Sequence, residues 1–342
     1  MQRWQHRFLS YVLLACLSCT SFTAFITYIS LRQAAIQPTF EFLTEVTQVK
    51  IEQSDHWFDQ LKTDFKADLT DIQVKKYAGV LLTQRLKTNP EYQQAYNYLH
   101  KHFNQSYQQR LATSLITNSG MVIFSTDPNQ EGQYRPLQNT TTYFKLENID
   151  DFAPNFYQSA TNQLPMITLA TPLFDQSATR IGVLTIDLNL SDLDQWIRQP
   201  MAQGENTGQL VGEMESYLVG GLSLNTNTFV SQNIRGGENK INITKDVISI
   251  PTLKSNGINR ALGMENGQGL YLNYEQIPVL GVYRWLPAYR FALLVEVQQG
   301  KVFSLARFRA GQLFVGGLVF TLAAYFGLLL IKIWFQISSS TR

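Results

Sequence analysis

The sequence predicts an α+β protein: two tandem modules, each a small antiparallel sheet with helices on one side or end, set between two transmembrane helices. Three observations carry that expectation. No charged residue lies between Arg7 and Arg32, nor between Arg309 and Lys332. Between those windows the apolar residues first recur at helical period and then alternate with period two. Beyond a linker at residues 199–208, the order of patterns repeats on a smaller scale.

The uncharged windows are 24 and 22 residues long, and at ~1.5 Å per residue each spans roughly 33 to 36 Å, enough for a bilayer. The first window is read as an uncleaved anchor. Leu13-Leu14-Ala15-Cys16 loosely resembles a lipoprotein processing site, but the apolar run continues through Phe22, Phe25, Ile26, Ile29 and Leu31. That is longer than the about 7 to 15 residues of a signal-peptide core. Arg3, His6 and Arg7 favour a cytoplasmic N-terminus. At the second window Lys301, Arg307 and Arg309 sit on the loop side, against Lys332 and Arg342 beyond it, which taken alone points the other way. The first helix is given the decision, so residues of about 33 to 308 are expected outside the cytoplasm of a bacterial inner (plasma) membrane.

Charge narrows the partners. All 26 Asp and Glu lie between Glu41 and Glu296, whereas eight of the 28 Lys and Arg lie outside that interval. The segment between the helices is therefore mildly acidic, which argues against a nucleic-acid partner. Both cysteines, Cys16 and Cys19, fall in the first apolar window, so cysteine usage does not decide the redox compartment.

Along the chain, Phe58, Leu61, Phe65, Leu69 and Ile72 step by 3, 4, 4 and 3, the period of one helix face, and a long helix is expected to continue past Arg32 with a kink or restart at Pro38. Asn89-Pro90 reads as an N-cap followed by a first-turn proline, opening a helix striped by Tyr92, Tyr96, Leu99 and Phe103. The period then changes to two. Leu115–Thr117 and Val122–Phe124 flank the turn signal Asn118-Ser119-Gly120. A polar stretch from Thr126 to Asn162 is read as a long loop, and long loops often carry binding residues. A second hairpin follows, Met166–Phe174 and Ile181–Leu188, and then a short helix from Asp192 to Arg198 capped by Ser191. After the linker come a strand at Tyr217–Val219, a polar insertion, a short helix at Ile258–Leu262 and strands at Leu270–Tyr274, Val279–Trp285 and Phe291–Val297.

The stretches Ile116-Thr117-Asn118-Ser119-Gly120-Met121-Val122, Thr168-Leu169-Ala170-Thr171-Pro172-Leu173, Ile181-Gly182-Val183-Leu184-Thr185-Ile186-Asp187 and Glu215-Ser216-Tyr217-Leu218-Val219-Gly220 resemble, in their order and spacing, a bacterial double Cache (dCache) sensor domain. The Tyr-x-Asn-Tyr, Pro-Val-Leu-Gly-x-Tyr and Val-Glu-Val elements between Tyr271 and Val297 add to it. The resemblance implies two PAS-like Cache modules, the first membrane-distal and usually the ligand binder, as in membrane histidine kinases, cyclases and chemoreceptors. The expected organisation is a cytoplasmic N-terminus (1–7), a transmembrane helix (8–31), a long helical region (32–111), a distal module (112–199), a proximal module (200–308), a second transmembrane helix (310–331) and a short tail (332–342). The resemblance further implies a signal receptor that binds a small molecule and passes a conformational change through the membrane to a cytoplasmic output, which lies beyond this chain. The alternative is a membrane-anchored interaction protein that docks a periplasmic or membrane partner without a small ligand.

In amino-acid-binding members an Arg-Pro-Trp-Tyr type motif holds the ligand carboxylate. The nearest match here is Ala153-Pro154-Asn155-Phe156-Tyr157, which lacks the arginine and tryptophan. The acidic residue that grips the ligand ammonium group corresponds to Asp187, but the missing arginine and tryptophan count against an amino acid, so the expected partner is a small-molecule ligand, an amino acid or another metabolite, with the amino acid not favoured. Asp187 also has a bland reading, a strand-end residue paired with backbone or a basic neighbour. Tyr143, Phe156 and Tyr157 complete the candidate ligand-binding set, either as pocket walls or as anchors of the loop to the core. Tyr271, Tyr274, Tyr283 and Trp285 alternate in strands and are read as core and interface.

No enzyme, cofactor or metal is called for. Among the four histidines, His100 and His102 are two apart on a predicted helix and diverge. There is no G-x-S-x-G elbow, and Gly267-Gln268-Gly269 precedes a strand rather than a helix. Membrane lipid, a second copy of the chain and a cytoplasmic signalling protein are the other expected partners.

Overall fold

A computed structural model describes residues 2–84, 86–106, 110–135, 153–158, 165–175, 177–189, 193, 197, 214–221, 228–230, 255–289 and 291–340. The expected linker, Tyr143 and most of the short helix at 192–198 lie outside the described residues, although Leu193 and Ile197 are helical and buried.

Helix α1 runs unbroken from Gln2 to Thr70 with Pro38 inside it, so the expected restart does not occur. Next to the proline, the Thr39 hydroxyl donates to the Ala35 carbonyl at 2.7 Å. The helix stops because Asp71 is extended (φ −64°, ψ 117°) and caps α2, Ile72–Thr83. Its carboxylate accepts from the amides of Gln73 (2.7 Å) and Val74 (3.4 Å). That break corrects the last step of the helical stripe: Phe58, Phe65 and Leu69 are buried, whereas Ile72 is 79% exposed. Helix α3 spans Pro90–Ser106, and Asn89 Oδ1 accepts from the Glu91 amide at 3.0 Å, as the cap signal predicted.

The first sheet contains β1 (Arg110–Thr117), β2 (Val122–Ser125), β3 (Ala153–Gln158), β4 (Pro165–Phe174) and β5 (Arg180–Asn189). Their order is β2-β1-β5-β4-β3, antiparallel throughout. The β1–β2 turn uses Gly120 at φ 87°, a conformation that other residues adopt at a cost. Strand β3 and a 3₁₀ turn at Pro128–Gln130 both fall in the stretch read as loop. Among the described residues β3 is an edge strand paired only with β4, and its sequence, APNFYQ, lacks apolar alternation.

The second sheet contains β6 (Met214–Gly221), β7 (Thr228–Val230), β8 (Gly267–Leu272), β9 (Pro278–Leu286) and β10 (Phe291–Gln298), in the order β7-β6-β10-β9-β8. Helix α4 (Asn256–Leu262) packs on this sheet, with the Ser255 hydroxyl accepting from the Ile258 amide at 3.1 Å. Numbered from its own first strand, the second sheet has the order of the first, so the repeat read from the sequence is a repeat of topology. β10 runs through the short helix α5 (Gln299–Val302) into α6 (Ser304–Ser340). Helix α6 packs along α1, with Gly317 against Thr20. The segments Ser10–Thr70 and Ser304–Ile331 are long and apolar enough to cross a membrane.

One buried cluster joins helices and both sheets. It takes Leu115, Leu169, Leu184 and Ile186 from the first sheet, Leu218, Val282, Leu293 and Val295 from the second, and Leu43, Val46, Phe58, Phe65, Val74, Leu81, Leu99 and Phe103 from α1 to α3. Helix α1 lies against β9 and β10. Its Phe58 ring stacks on Tyr289 at 4.0 Å and 13°, and the Tyr289 hydroxyl donates to Asp55 at 2.8 Å. Phe58→Ala is expected to cost about 3–5 kcal/mol of stability through the cavity it leaves; urea unfolding of the purified chain in detergent measures this.

Candidate functional site

Strand alternation divides each sheet into a helix-packed face and an opposite face. In β5, Leu184, Ile186 and Leu188 join the helices, which turns Val183, Thr185 and Asp187 the other way. Val183 there packs with Ile116, Val122 and Ala170. Around this small apolar patch the same face is polar: Ser114, Ser125, Thr168, Thr185 and Asp187 are all buried.

Asp187 is 1% exposed and holds the centre of this cluster. Its register partners are Ala112 on β1 and Thr168 on β4. The Thr168 hydroxyl donates to Oδ1 at 2.5 Å, while Arg135 Nη2 (2.8 Å) and Gln130 Nε2 (3.3 Å) donate to Oδ2. Arg135 also donates to Gln130 Oε1 at 2.9 Å. The Ser114 hydroxyl donates to Ser125 Oγ (2.9 Å) and Gln130 Oε1 (3.2 Å). A buried carboxylate is thereby paired with a guanidinium that is itself only 8% exposed, and its lone pairs are largely satisfied.

The structure thus brings Asp187 into a site with residues that sequence reasoning did not select: Arg135, Gln130, Thr168 and the two serines. Arg135 is a basic neighbour of the kind the bland reading needs, but it lies 52 positions away in the chain, and local spacing gives no sign of it. Phe156 and Tyr157 lie on edge strand β3, opposite Ile167 and Met166, and Asn155 lies opposite Thr168. Tyr143 is outside the described residues. Among the described residues no group of three or more His, Cys, Asp or Glu is placed to hold a metal ion.

The second sheet repeats the design with different chemistry. Glu296 is third from the end of β10, as Asp187 is of β5. Its register partners are Glu215 on β6 and Gly281 on β9. It too faces away from the cluster built by Phe291, Leu293, Val295 and Val297. Its surroundings are tyrosines: the hydroxyls of Tyr217 and Tyr271 both donate to Oε1 at 2.9 Å. Burial is the main cause that pushes the Glu296 carboxyl up to about 7, with the two tyrosine bonds acting in the opposite direction. Tyr271, Tyr274 and Tyr283, expected as core and interface, pack there with Tyr217, Ile258, Ala261 and Leu294, joined at the edge by Trp285.

Comparison with known proteins agrees with this architecture. Residues 78–195 match the family model of the first PDC sensor domain of methyl-accepting chemotaxis protein-like proteins. The sensor domain of the Vibrio cholerae (V. cholerae) histidine kinase DctB superposes with a TM-score of 0.51 at 15% identity, over 76% of this chain and 98% of that one. The extracellular domain of the histidine kinase vpHK1S-Z8 gives 0.50 at 10% identity, over 79% and 98%. The ligand-binding domain of the Campylobacter jejuni chemoreceptor Tlp3, in complex with L-valine, gives 0.48 at 14% identity, over 80% and 97%. No curated protein sequence matches the chain. The region between the two long helices is therefore a tandem PDC, or double Cache, sensor fold, the fold of histidine-kinase and chemoreceptor sensor domains.

Arg135→Ala strands a buried carboxylate and is expected to cost about 3–5 kcal/mol. Adding Asp187→Asn removes the orphaned charge and recovers part of the loss. A double-mutant cycle by urea unfolding checks the pair, and additive single costs count against coupling.

Proposed function

We propose that the chain is a transmembrane signal receptor of the bacterial inner membrane. Its double Cache domain, residues of about 33 to 308, lies outside the cytoplasm and binds a small molecule on the first module. The conformational change passes along α1 and through β10 into α6, to a cytoplasmic output or signalling partner. The reading assigns no catalytic step to residues 1–342.

The observation that supports it is the buried polar cluster around Asp187 on the face of the first sheet turned away from the helices. A core made only for stability has little use for an ion pair there, since apolar packing of the same volume is often as stable or more so. The pair offers a ligand one acidic and one basic anchor. A zwitterion, such as an amino acid, places its ammonium group on Asp187 and its carboxylate on Arg135, exchanging the internal pair for two intermolecular ones. Such a ligand shifts the receptor between states only by its difference in affinity for them. Tyr143 and Tyr157 are proposed as the aromatic part of the same site, whereas Phe156 is in register with Ile167, a residue of the helix-packed cluster, and is left out of it.

Thermal-shift screening of the purified full chain against a metabolite library tests the reading. A true ligand at about 100 times its Kd stabilises the folded state by about 2.7 kcal/mol. Asp187→Ala is expected to abolish that stabilisation for a cationic or zwitterionic compound, and calorimetry gives the affinity. Stabilisation by no compound in the library counts against a small-molecule sensor and favours the docking alternative. Unchanged affinity in Asp187→Ala returns that residue to a structural role.

A further inference from the structure

The second module has a buried acid of its own, and the proposed ligand site of the first module makes no use of it. Glu296 is 1% exposed, and its Oε2 atom is buried without a hydrogen-bond partner among the described residues. Both tyrosine hydroxyls converge instead on Oε1. The tyrosine packing leaves almost no room: a Cβ at Gly281 would overlap the Tyr271 hydroxyl, and one at Gly257 would overlap the same ring. Among the described residues, the groups facing the carboxyl from every packed element are acidic, phenolic or neutral. From β6 come Tyr217 and Glu215, and from β8 comes Tyr271. The turn after β8 adds Tyr274, whose hydroxyl donates to Glu215 at 2.9 Å, and Glu275. From β9 comes Tyr283, beside Gly281. The cation on α4, Arg260, reaches the Tyr283 hydroxyl at 3.4 Å rather than Glu296.

We propose that Glu296, clamped by Tyr217 and Tyr271, is a proton-binding site that couples the pH around the sensor domain to the second long helix. The proton comes from solvent and adds to Oε2, while Oε1 keeps both tyrosine bonds. The neutral acid leaves one O–H donor unpaired, which carries a desolvation cost of its own. The carboxylate instead leaves a charge in a buried aromatic site, with acidic neighbours at Glu215 and Glu275 and with no cation hydrogen-bonded to it among the described residues. That costs far more, so loss of the proton favours opening of the clamp to water. The clamp is built on the last strand before the membrane helix: Glu296 is followed within two residues by the end of β10, then by α5 and α6. Burial supports the same direction, raising the carboxyl from 4.5 to about 7.

The sign follows from linkage. The closed state binds the proton more tightly than the open one, so its extra stability is complete below pH 4.5 and is lost as pH rises through about 7. Hydrogen exchange of the full chain in lipid nanodiscs reads this directly, after correction for the intrinsic rate. Opening of β8 and β10 is expected to rise about tenfold per pH unit between pH 4.5 and about 7 and then to level off. The segment Gln299–Arg309 should follow the same curve. Glu296→Gln should flatten both. Tyr271→Phe keeps the shape but removes one donor to the charged form, so the levelling point should move to higher pH.

A flat wild-type profile, or a rise that survives in Glu296→Gln, overturns the proton site. Response in the strands without response at 299–309 overturns the coupling. Should Glu296→Gln fail to fold, an unmoved levelling point in Tyr271→Phe is sufficient to reject the proposal. None of these outcomes depends on whether the first module binds a ligand.

Discussion

The seam between α1 and strands β9 and β10 is the interaction on which the rest of the structure depends. Phe58 stacked on Tyr289, with Phe291, Leu293 and Val295 buried in the same cluster, fixes the second sheet to the N-terminal helix. Apolar burial at roughly 25 cal/mol per Å² makes such a seam strong without requiring any particular polar contact. Because β10 continues through α5 into α6, one seam secures both long helices to one sheet. A continuous helix of 69 residues reaches about 100 Å at ~1.5 Å per residue, and its Leu43 to Phe65 segment contributes to the core shared by both modules.

With one face of each sheet committed to helices, the opposite face is where the modules differ. Each presents an acid third from the end of its last strand, and each must answer the cost of burying it. The first module does so with a guanidinium, an amide and a hydroxyl. Gln130 and Arg135 come from the segment after β2, and Thr168 from the neighbouring strand. The second module supplies two phenols to one oxygen and, among the described residues, no hydrogen-bond partner to the other. A charged acid with a matched cation suits exchange with a charged ligand, whereas an acid with neutral donors suits exchange of a proton. The two faces therefore carry different chemistry on the same topology.

The substitution pattern across the repeat shows how this comes about. Ser114 on β1 and Tyr217 on β6 stand at equivalent register positions, as do Thr168 on β4 and Gly281 on β9. Replacing serine with tyrosine fills the space with a ring, and replacing threonine with glycine makes room for the Tyr271 hydroxyl. The second module is thus a packed aromatic site where the first is a small-residue polar one.

The sequence by itself determined the class and most of the elements. Uncharged windows, the Phe58–Leu69 stripe, the Asn89-Pro90 cap and period-two runs depend on neighbours a few positions apart, and such signals survive in one dimension. It also selected Asp187, because a carboxylate in an apolar strand is costly wherever the strand lies. It did not show where α1 ends, since Asp71 leaves the helix through a local cap that interrupts an otherwise regular stripe. Nor did it show β3, an edge strand with no alternation. Only the tertiary structure decided that Asp187 meets Arg135 and that Glu296 meets Tyr217 and Tyr271, across separations of 52, 79 and 25 residues. Strand order and register set those meetings, and no short-range pattern encodes them.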